Sequence, residues 1–283
     1  MTTPRRRTIV LIVMLTALSA IAILQRHRTT GTFDIPSIAD ARTAQARFTG
    51  LLSGAGAPLP PGLMQARVEG RDERILKEGA DDCRGRGIYR LNDAIGAVPL
   101  AIVAPHDGAD RHTGEIARLL FEETAASAAA WNSAPRRPGP DCPGGGDPTR
   151  VDTHYLTAFS LAFAKRHPQG RIVQVHGFDG ELRTSRAAQL ADMIVSDGSR
   201  YPSPRLLDLA DCLSASMVPS RVVVFPLETA ELGATVNRQG RALRDEGFTG
   251  FAHIEMSAAF RERLLAEPVL RAELSRCLTS GLR

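Results

Sequence analysis

Short apolar runs alternate with longer segments in which apolar residues recur at helical spacing, beginning near Val98. Short runs that end abruptly in polar residues predict buried strands, and the longer periodic segments predict helices. The predicted strands are 98–104, 171–175, 193–195, 221–225 and 250–254. The predicted helices are 113–131, 152–166, 206–217 and 258–278, the last interrupted at Pro268. This alternation favours the α/β class, with a mainly parallel (mixed) central sheet flanked by helices.

The N-terminal pattern is different, because residues 8–24 form a continuous apolar run behind three arginines at 5–7. Such a run is typical of a signal peptide, with small residues at 20–22 for cleavage. It is also nearly long enough to remain as a membrane anchor. The predicted division is a signal peptide or signal anchor at 1–24, a Gly/Pro-rich tether at 25–62 and a single α/β domain at 63–283. The positive-inside rule predicts an extracytoplasmic domain, which is periplasmic, secreted or anchored to the inner membrane facing outward.

Charge excludes one class of partner. The chain has 283 residues, of which 43% are hydrophobic and 23% charged, and its formal net charge is +4. Part of the excess lies beside the N-terminal apolar run, so the rest of the chain is nearly neutral and carries no basic stripe. Nucleic-acid binding is therefore not expected, and the membrane is a partner only through an uncleaved N-terminal segment.

Four cysteines, an even number, suit an oxidising compartment, and they allow three pairings. Cys83 and Cys142 both lie in irregular Gly/Pro-rich sequence, whereas Cys212 and Cys277 lie in late predicted helices. The favoured pairs are Cys83 with Cys142 and Cys212 with Cys277, and the sequence alone leaves the pairing open.

Histidines and carboxylates gather where three of the predicted strands end. The first strand runs into His106 and a stretch of acidic residues, the second into His176, and the last contains Glu255. Ligands of open α/β sheets bind at the carboxyl ends of the strands. Three N or O ligands, an open position and a nearby base are what a catalytic zinc requires. We therefore predict that these strand ends form one shared site.

Three segments carry a family resemblance: APHDGADRHTGEIARLLF at 104–121, VQVHGFD at 173–179 and FAHIEMS at 251–257. Together they resemble the zinc-dependent, carboxypeptidase-like amidohydrolases, and most closely the N-formylglutamate amidohydrolases and poly-γ-glutamate hydrolases. The resemblance covers residues 98–264. It implies a zinc-exopeptidase-like fold of the phosphorylase/hydrolase type and hydrolysis of a C–N bond.

The resemblance also implies roles for individual residues. It makes His106, Asp110 and His176 ligands of Zn²⁺, and Glu255 the base that activates water and then protonates the leaving amine. The family carries His-x-x-Glu, but residue 109 here is Ala. The carboxylate ligand is therefore expected to be Asp110, with Glu115 as the alternative and Asp107 as a third candidate. Within the predicted domain at 63–283, the remaining histidines, His112, His154, His167 and His253, are expected at the surface or in structural positions.

A substrate carboxylate is best held by arginine, because the planar guanidinium can donate two hydrogen bonds to it. The candidates are Arg136 and Arg137 after a predicted helix, and Arg241 with Asn237 ahead of the last strand. The favoured substrate is thus a small molecule or peptide that bears a carboxylate.

The function predicted from these features is that of an exported zinc hydrolase that cleaves an amide bond in an N-acyl amino acid or a glutamyl or γ-linked peptide. Two alternatives stay open: a metal-free extracytoplasmic binding or assembly module on the same fold, and a zinc esterase or deacylase. The sequence contains no G-x-S-x-G, no G-x-G-x-x-G and no P-loop, which disfavours serine hydrolases and nucleotide-binding enzymes.

Overall fold

The computed structural model describes residues 32–54, 56–79, 82–139, 142 and 144–282. The predicted signal segment at 1–24 lies outside these residues. The strands are β1 (Met64–Arg67), β2 (Glu73–Lys77), β3 (Ile88–Asn92), β4 (Val98–Ala104), β5 (Ala126–Trp131), β6 (Arg171–Phe178), β7 (Met193–Ser196), β8 (Val222–Val224) and β9 (Phe251–Ser257). The helices are α1 (Ile38–Leu52), α2 (Thr113–Glu123), α3 (Tyr155–Arg166), α4 (Arg186–Gln189), α5 (Pro204–Ser216), α6 (Arg238–Asp245), α7 (Ala258–Ala266) and α8 (Pro268–Thr279).

The strands form one nine-stranded sheet in the order β1-β2-β3-β5-β4-β6-β9-β7-β8. Its centre is parallel, since β4 pairs in parallel with β5 and with β6, and β6 in parallel with β9. The edges supply the antiparallel pairs, with β1, β2 and β3 on one side and β7 against β9 on the other. The predicted mixed α/β sheet is confirmed, and the carboxyl ends of β4, β6 and β9 meet at one edge.

Helices cover both faces of the sheet, because its central strands are apolar on both sides. One core packs the sheet against α2, α5, α7 and α8, with Leu120, Leu213 and Phe260 fully buried in it. The other packs the opposite face against α1, α3 and α6, around Phe48 and Phe159. The result is a three-layer arrangement that leaves the strand ends free to carry polar side chains.

The predicted helix 113–131 is wrong in its second half. The helix α2 ends at Glu123, and residues 126–131 form strand β5, in which every residue is buried. Ala125 has a φ of +50° and turns the chain between the two elements. The alanine-rich sequence of β5 favours a helix locally, but its small side chains let β5 pair between β3 and β4 with helices packed on both faces.

The tether predicted at 25–62 is also wrong for most of its described part. Residues 38–52 form α1, which begins with a capping box between Ser37 and Asp40. Phe48 on this helix is fully buried and contacts the rings of Tyr89 and Phe159 at centroid distances of 4.6 and 5.4 Å. The segment thus belongs to the folded domain, as do the unforeseen strands β1 to β3.

The favoured cysteine pairing is present. Cys83 bonds to Cys142 and Cys212 to Cys277, with Cα–Cα distances of 5.9 and 5.7 Å. Two disulfides are typical of proteins that fold in an oxidising compartment. In the part of the chain that the structure describes, no helix has the length and apolar character needed to cross a membrane.

Candidate metal centre

The three predicted clusters meet at the carboxyl ends of β4, β6 and β9. His106 lies in the turn that leaves β4, and Asp110 follows it ahead of α2. His176 and Glu255 are register partners on β6 and β9, so their side chains leave the sheet on the same face. All four residues line one cavity.

Three candidate ligand atoms form a nearly equilateral triangle. His106 Nδ1 and His176 Nδ1 are 3.1 Å apart, and each lies 3.2 Å from Asp110 Oδ2. Zinc binds nitrogen and oxygen at about 2.0–2.1 Å in tetrahedral geometry, which sets ligand atoms about 3.3 Å apart. The triangle therefore has the size of one face of a zinc coordination tetrahedron, which leaves the fourth position open.

The other ring nitrogen of each histidine faces an acceptor. His106 Nε2 lies 2.8 Å from Asp147 Oδ1 and His176 Nε2 lies 3.2 Å from Gln174 Oε1. A carboxylate oxygen can only accept, so Nε2 of His106 carries a proton, and Nδ1 is the ring nitrogen that can bind a metal. Arg136 Nη1, a donor, is 3.4 Å from that same Nδ1. Histidines that ligate metals are held in this manner, and the donor set fits a zinc ion.

Asp147 is a residue that the sequence did not point to. It lies in a breaker-rich loop after β5, where nothing in the local pattern distinguishes it from other loop carboxylates. Besides His106 it accepts hydrogen bonds from the backbone and the hydroxyl of Thr149, and Arg136 lies 3.0 Å away. Burial raises the pKa of the Asp147 carboxyl, but these partners outweigh burial and hold the pKa below its ordinary value.

The site keeps its ligand carboxylate charged. Burial raises the pKa of Asp110, but hydrogen bonds with His106 and His176 outweigh it and hold that pKa well below its usual range. Burial lowers the pKa of His176. Burial also lowers the pKa of His106, yet its bonds with Asp110 and Asp147 leave it above the ordinary value. Asp110 therefore supplies a fixed negative charge at the triangle.

Glu255, unlike Asp110, has a carboxyl group whose pKa is raised. It is 8% exposed, and its Oε2 has no hydrogen-bond partner among the described residues. Burial, and then the negative charge of Asp110, raise the pKa of Glu255 from 4.5 to about 8. Two carboxylates in one site with pKa values pushed apart are the usual arrangement for a ligand or stabiliser beside an acid–base group.

His253 lies inside this site, although the sequence suggested a surface or structural position. It is 4% exposed, its ring lies 4.6 Å from the ring of His176, and its Nε2 is 3.7 Å from Glu255 Oε1. His176, His253 and Glu255 form a second group of ligand-type atoms within 4.8 Å of one another. Its spacing could have indicated this position, because His253 and Glu255 are two residues apart on one strand and so point to the same face of the sheet.

Several candidates are placed elsewhere. The Glu115 side chain is 63% exposed and lies 3.8 Å from His112, outside the cavity. Asp107 bonds to Arg118 at 2.7 Å, and Arg241 bonds to the exposed Asp152 at 2.9 Å. His112, His154 and His167 do not line the cavity either.

Arg136, Arg137 and Asn237 do line the cavity, which has a volume of about 980 Å³. Arg136, Arg137 and Arg150 enter it from the segment after β5, on one side of the triangle. On the other side, the segments after β7 and β8 add an apolar wall and one more arginine: Arg200, Tyr201, Phe225, Pro226 and Val236. The cavity thus combines arginines, with Arg183 after β6 among them, and apolar side chains from the segments after β7 and β8.

No protein-family model and no curated protein matches the chain. It is similar to the solved structure of an N-formylglutamate amidohydrolase from Ralstonia eutropha JMP134, with 15% identity, coverage of 68% of this chain and 95% of that chain, and a TM-score of 0.45. It is also similar to a succinylglutamate desuccinylase from Vibrio parahaemolyticus (9% identity, 85% and 82% coverage, TM-score 0.45).

A metallo-carboxypeptidase from Pseudomonas aeruginosa is similar as well, with 13% identity, coverage of 84% of this chain and 68% of that chain, and a TM-score of 0.41. These three structures are an amidohydrolase, a desuccinylase and a carboxypeptidase. These identities and TM-scores are too low to transfer an activity, so function has to be inferred from the side chains of the site.

Proposed function

We propose that this protein is an extracytoplasmic zinc-dependent hydrolase that cleaves an amide bond in a carboxylate-bearing substrate. One observation carries the proposal: the Nδ1 atoms of His106 and His176 and Oδ2 of Asp110 converge to 3.1–3.2 Å. Three electron-rich atoms at this spacing repel one another unless a cation or a proton lies between them. A zinc ion held by these three residues accounts for the arrangement.

The zinc ion would polarise the carbonyl of the scissile bond and promote water as a nucleophile at neutral pH. The chain's own contribution is acid–base chemistry at Glu255. Its Oε2, which has no hydrogen-bond partner among the residues that the structure describes, is free to take the proton from the attacking water and to return it to the departing nitrogen. A pKa raised to about 8 suits a group that must both accept and donate a proton near neutral pH.

The residues that line the cavity support a substrate that has a carboxylate at one end and an apolar group at the other. Arg136 and Arg137 lie on the side of β5, where a guanidinium can bind a substrate carboxylate. Tyr201 and Val236 on the other side are 88% and 58% exposed and offer apolar contact to the remainder of the substrate. An N-acyl amino acid or a glutamyl peptide has this chemistry.

The two disulfides support folding outside the cytoplasm, in agreement with the signal sequence predicted at 1–24. Export by that segment, with or without its cleavage, is part of the proposal. Fractionation of cells that express the untagged chain, followed by N-terminal sequencing of the recovered protein, tests it.

Metal analysis of the full-length protein, purified without chelator and without a histidine tag, is the deciding experiment. We expect about one zinc per chain, and hydrolysis of N-acyl amino acids or γ-glutamyl peptides. Asp110→Asn should lose the zinc, whereas Glu115→Gln, the matched control, should keep it. Glu255→Gln should keep the zinc and lose turnover. A wild-type protein that binds no zinc even after zinc is added would overturn the proposal and favour the metal-free binding module.

Matched amide and ester substrates test the bond type. If the protein hydrolyses only the ester of a given acyl group, the amide assignment is wrong and the esterase alternative holds, while the metal site stands.

A further inference from the structure

We propose that Phe33 is a positioning residue for the candidate metal centre, because its ring holds in place the loop that carries Arg136 and Asp147. This loop, called the β5 loop below, comprises the described residues 132–139, 142 and 144–150 between β5 and α3. The inference rests on the proposed function for what these two side chains do. Phe33 itself does not line the cavity, so it acts through the loop.

The β5 loop brings two charged side chains to the site. Asp147 Oδ1 lies 2.8 Å from His106 Nε2, and Arg136 Nη2 lies 3.0 Å from Asp147 Oδ2. The two limbs of the loop are joined, since the N–H of Gly146 donates to the carbonyl of Pro135 at 3.0 Å. Pro135 and the three residues after it are exposed, so this limb gains little from burial. The position of the loop therefore depends on what packs behind it.

The ring of Phe33 fills a cradle that two glycines leave open. At Gly146, the three atoms nearest to an added Cβ would all belong to the Phe33 ring, and all would be too close for a real contact. At Gly85, an added Cβ would lie 2.7 Å from the same ring. The ring also stacks on His154, with centroids 5.8 Å apart and planes 9° from parallel. The lack of side chains at both glycines thus makes room for this one aromatic ring.

The backbone is fastened on both sides of that ring. The N–H of Phe33 donates to the carbonyl of Gly144 at 3.2 Å, and the N–H of Asp34 donates to the carbonyl of Arg84 at 2.9 Å. The Asp34 carboxylate also accepts from Arg86 at 2.8 Å. The first bond reaches the β5 loop and the other two reach the segment ahead of β3. Phe33 and Asp34 therefore bridge two segments that a disulfide also joins.

Loss of the ring is expected to act locally. Phe33 is half-buried and packs against a small cluster around the disulfide, separate from the two cores that cover the sheet. Without the ring, a gap opens between Gly85 and Gly146, and the β5 loop can shift into it. A misplacement of about 1 Å in a group that positions the reaction can cost about 100-fold in activity. The two cores should stay intact.

Hydrogen exchange followed by mass spectrometry measures the loop without substrate or metal. In full-length Phe33→Ala with disulfides intact during labelling, we expect amide exchange in the β5 loop to rise about tenfold or more. Exchange in β4 and β6 should keep its wild-type rate. Ile35→Ala is the matched control, because Ile35 belongs to the same segment but is 64% exposed. It should match the wild type throughout.

Zinc affinity and kinetics show whether the site follows the loop. In Phe33→Ala, zinc affinity measured by chelator competition should fall about 10- to 100-fold, because Asp147 no longer supports His106. For the N-acyl amino acid that the wild type hydrolyses, KM at saturating zinc should rise about tenfold as Arg136 is displaced, and kcat should change by less than about threefold. Phe33→Leu, which refills most of the gap, should recover most of both losses.

Gly146→Ala tests the cradle from its other side. The backbone of Gly146 is not in the left-handed region, so the added methyl acts through its collision with Phe33. The variant should show the same rise in loop exchange. In Phe33→Ala/Gly146→Ala the methyl has room, so the double variant should lose no more than Phe33→Ala alone. Far-UV circular dichroism and thermal unfolding show which variants fold, and if Phe33→Ala does not, Gly146→Ala decides.

Three results would overturn the inference. The first is wild-type exchange in the β5 loop of folded Phe33→Ala. The second is faster loop exchange with unchanged zinc affinity and KM. The third is an equal rise in β4 and β6, because Phe33 would then only stabilise the domain. A wild type that neither binds zinc nor hydrolyses these substrates refutes the proposed function instead, and loop exchange still decides whether Phe33 holds the loop.

Discussion

Replacing Glu255 by Gln should change how the stability of the metal-free protein depends on pH. Glu255 is 8% exposed, and burial together with the charge of Asp110 raises its pKa from 4.5 to about 8. Glutamine has nearly the same shape but does not titrate. The comparison therefore isolates the free energy of ionising this one carboxyl group in the folded state.

The direction follows from proton binding. Between pH 4.5 and about 8 the folded state holds a proton on Glu255 that the unfolded state has released, so stability falls as pH rises through this window. A pKa difference of one is worth about 1.4 kcal/mol. The full loss is then about 5 kcal/mol above pH 8, and the part between pH 5 and pH 8.5 is about 4 kcal/mol.

The assay is urea unfolding with chelator present and disulfides intact, followed by far-UV circular dichroism at pH 5 and pH 8.5. Relative to the wild type, Glu255→Gln should gain about 4 kcal/mol between the two pH values. Glu115→Gln, whose side chain is 63% exposed, serves as control and should match the wild type. Equal pH dependence of Glu255→Gln and the wild type would refute the burial argument for this residue.

Three further predictions concern the fold and the metal. Phe48→Ala should lower the free energy of unfolding in urea by about 3–5 kcal/mol, because it empties a packed aromatic contact. Ile38→Ala on the same helix, 64% exposed, should change that free energy by no more than about 0.5 kcal/mol. Equal small losses in the two variants would restore the tether interpretation. Replacing Cys212 and Cys277 together by Ala should lower stability by about 4 kcal/mol, since the bond closes a loop of 65 residues; an unchanged unfolding midpoint would contradict this. Zinc at 100 times its Kd should stabilise the wild type by about 2.7 kcal/mol in thermal unfolding, and His176→Ala should show no such gain.

The sequence by itself determined the central strands and the residues that leave them. An apolar run followed abruptly by a polar residue marks a buried strand and its end. The sequence could therefore predict β4, β6 and β9, and with them the positions of His106, His176 and Glu255. Their meeting follows from strand direction, because parallel strands bring their carboxyl ends to one edge. The preference for Asp110 over Glu115 came from its position ahead of the predicted helix, and the structure places Asp110 Oδ2 3.2 Å from the Nδ1 atoms of both histidines.

Other features were decided only in three dimensions. The alanine-rich residues 126–131 favour a helix locally, and they form a strand because the sheet offers a gap lined with small side chains. Asp147 reaches His106 across 41 residues of chain, and the amide of Asn237 donates to Gln174 Oε1 across 63 residues. Periodicity reports only on neighbours along the chain. Which loop folds back onto a ligand, and which end of an amide faces it, depend on register and packing, and only the tertiary structure sets those.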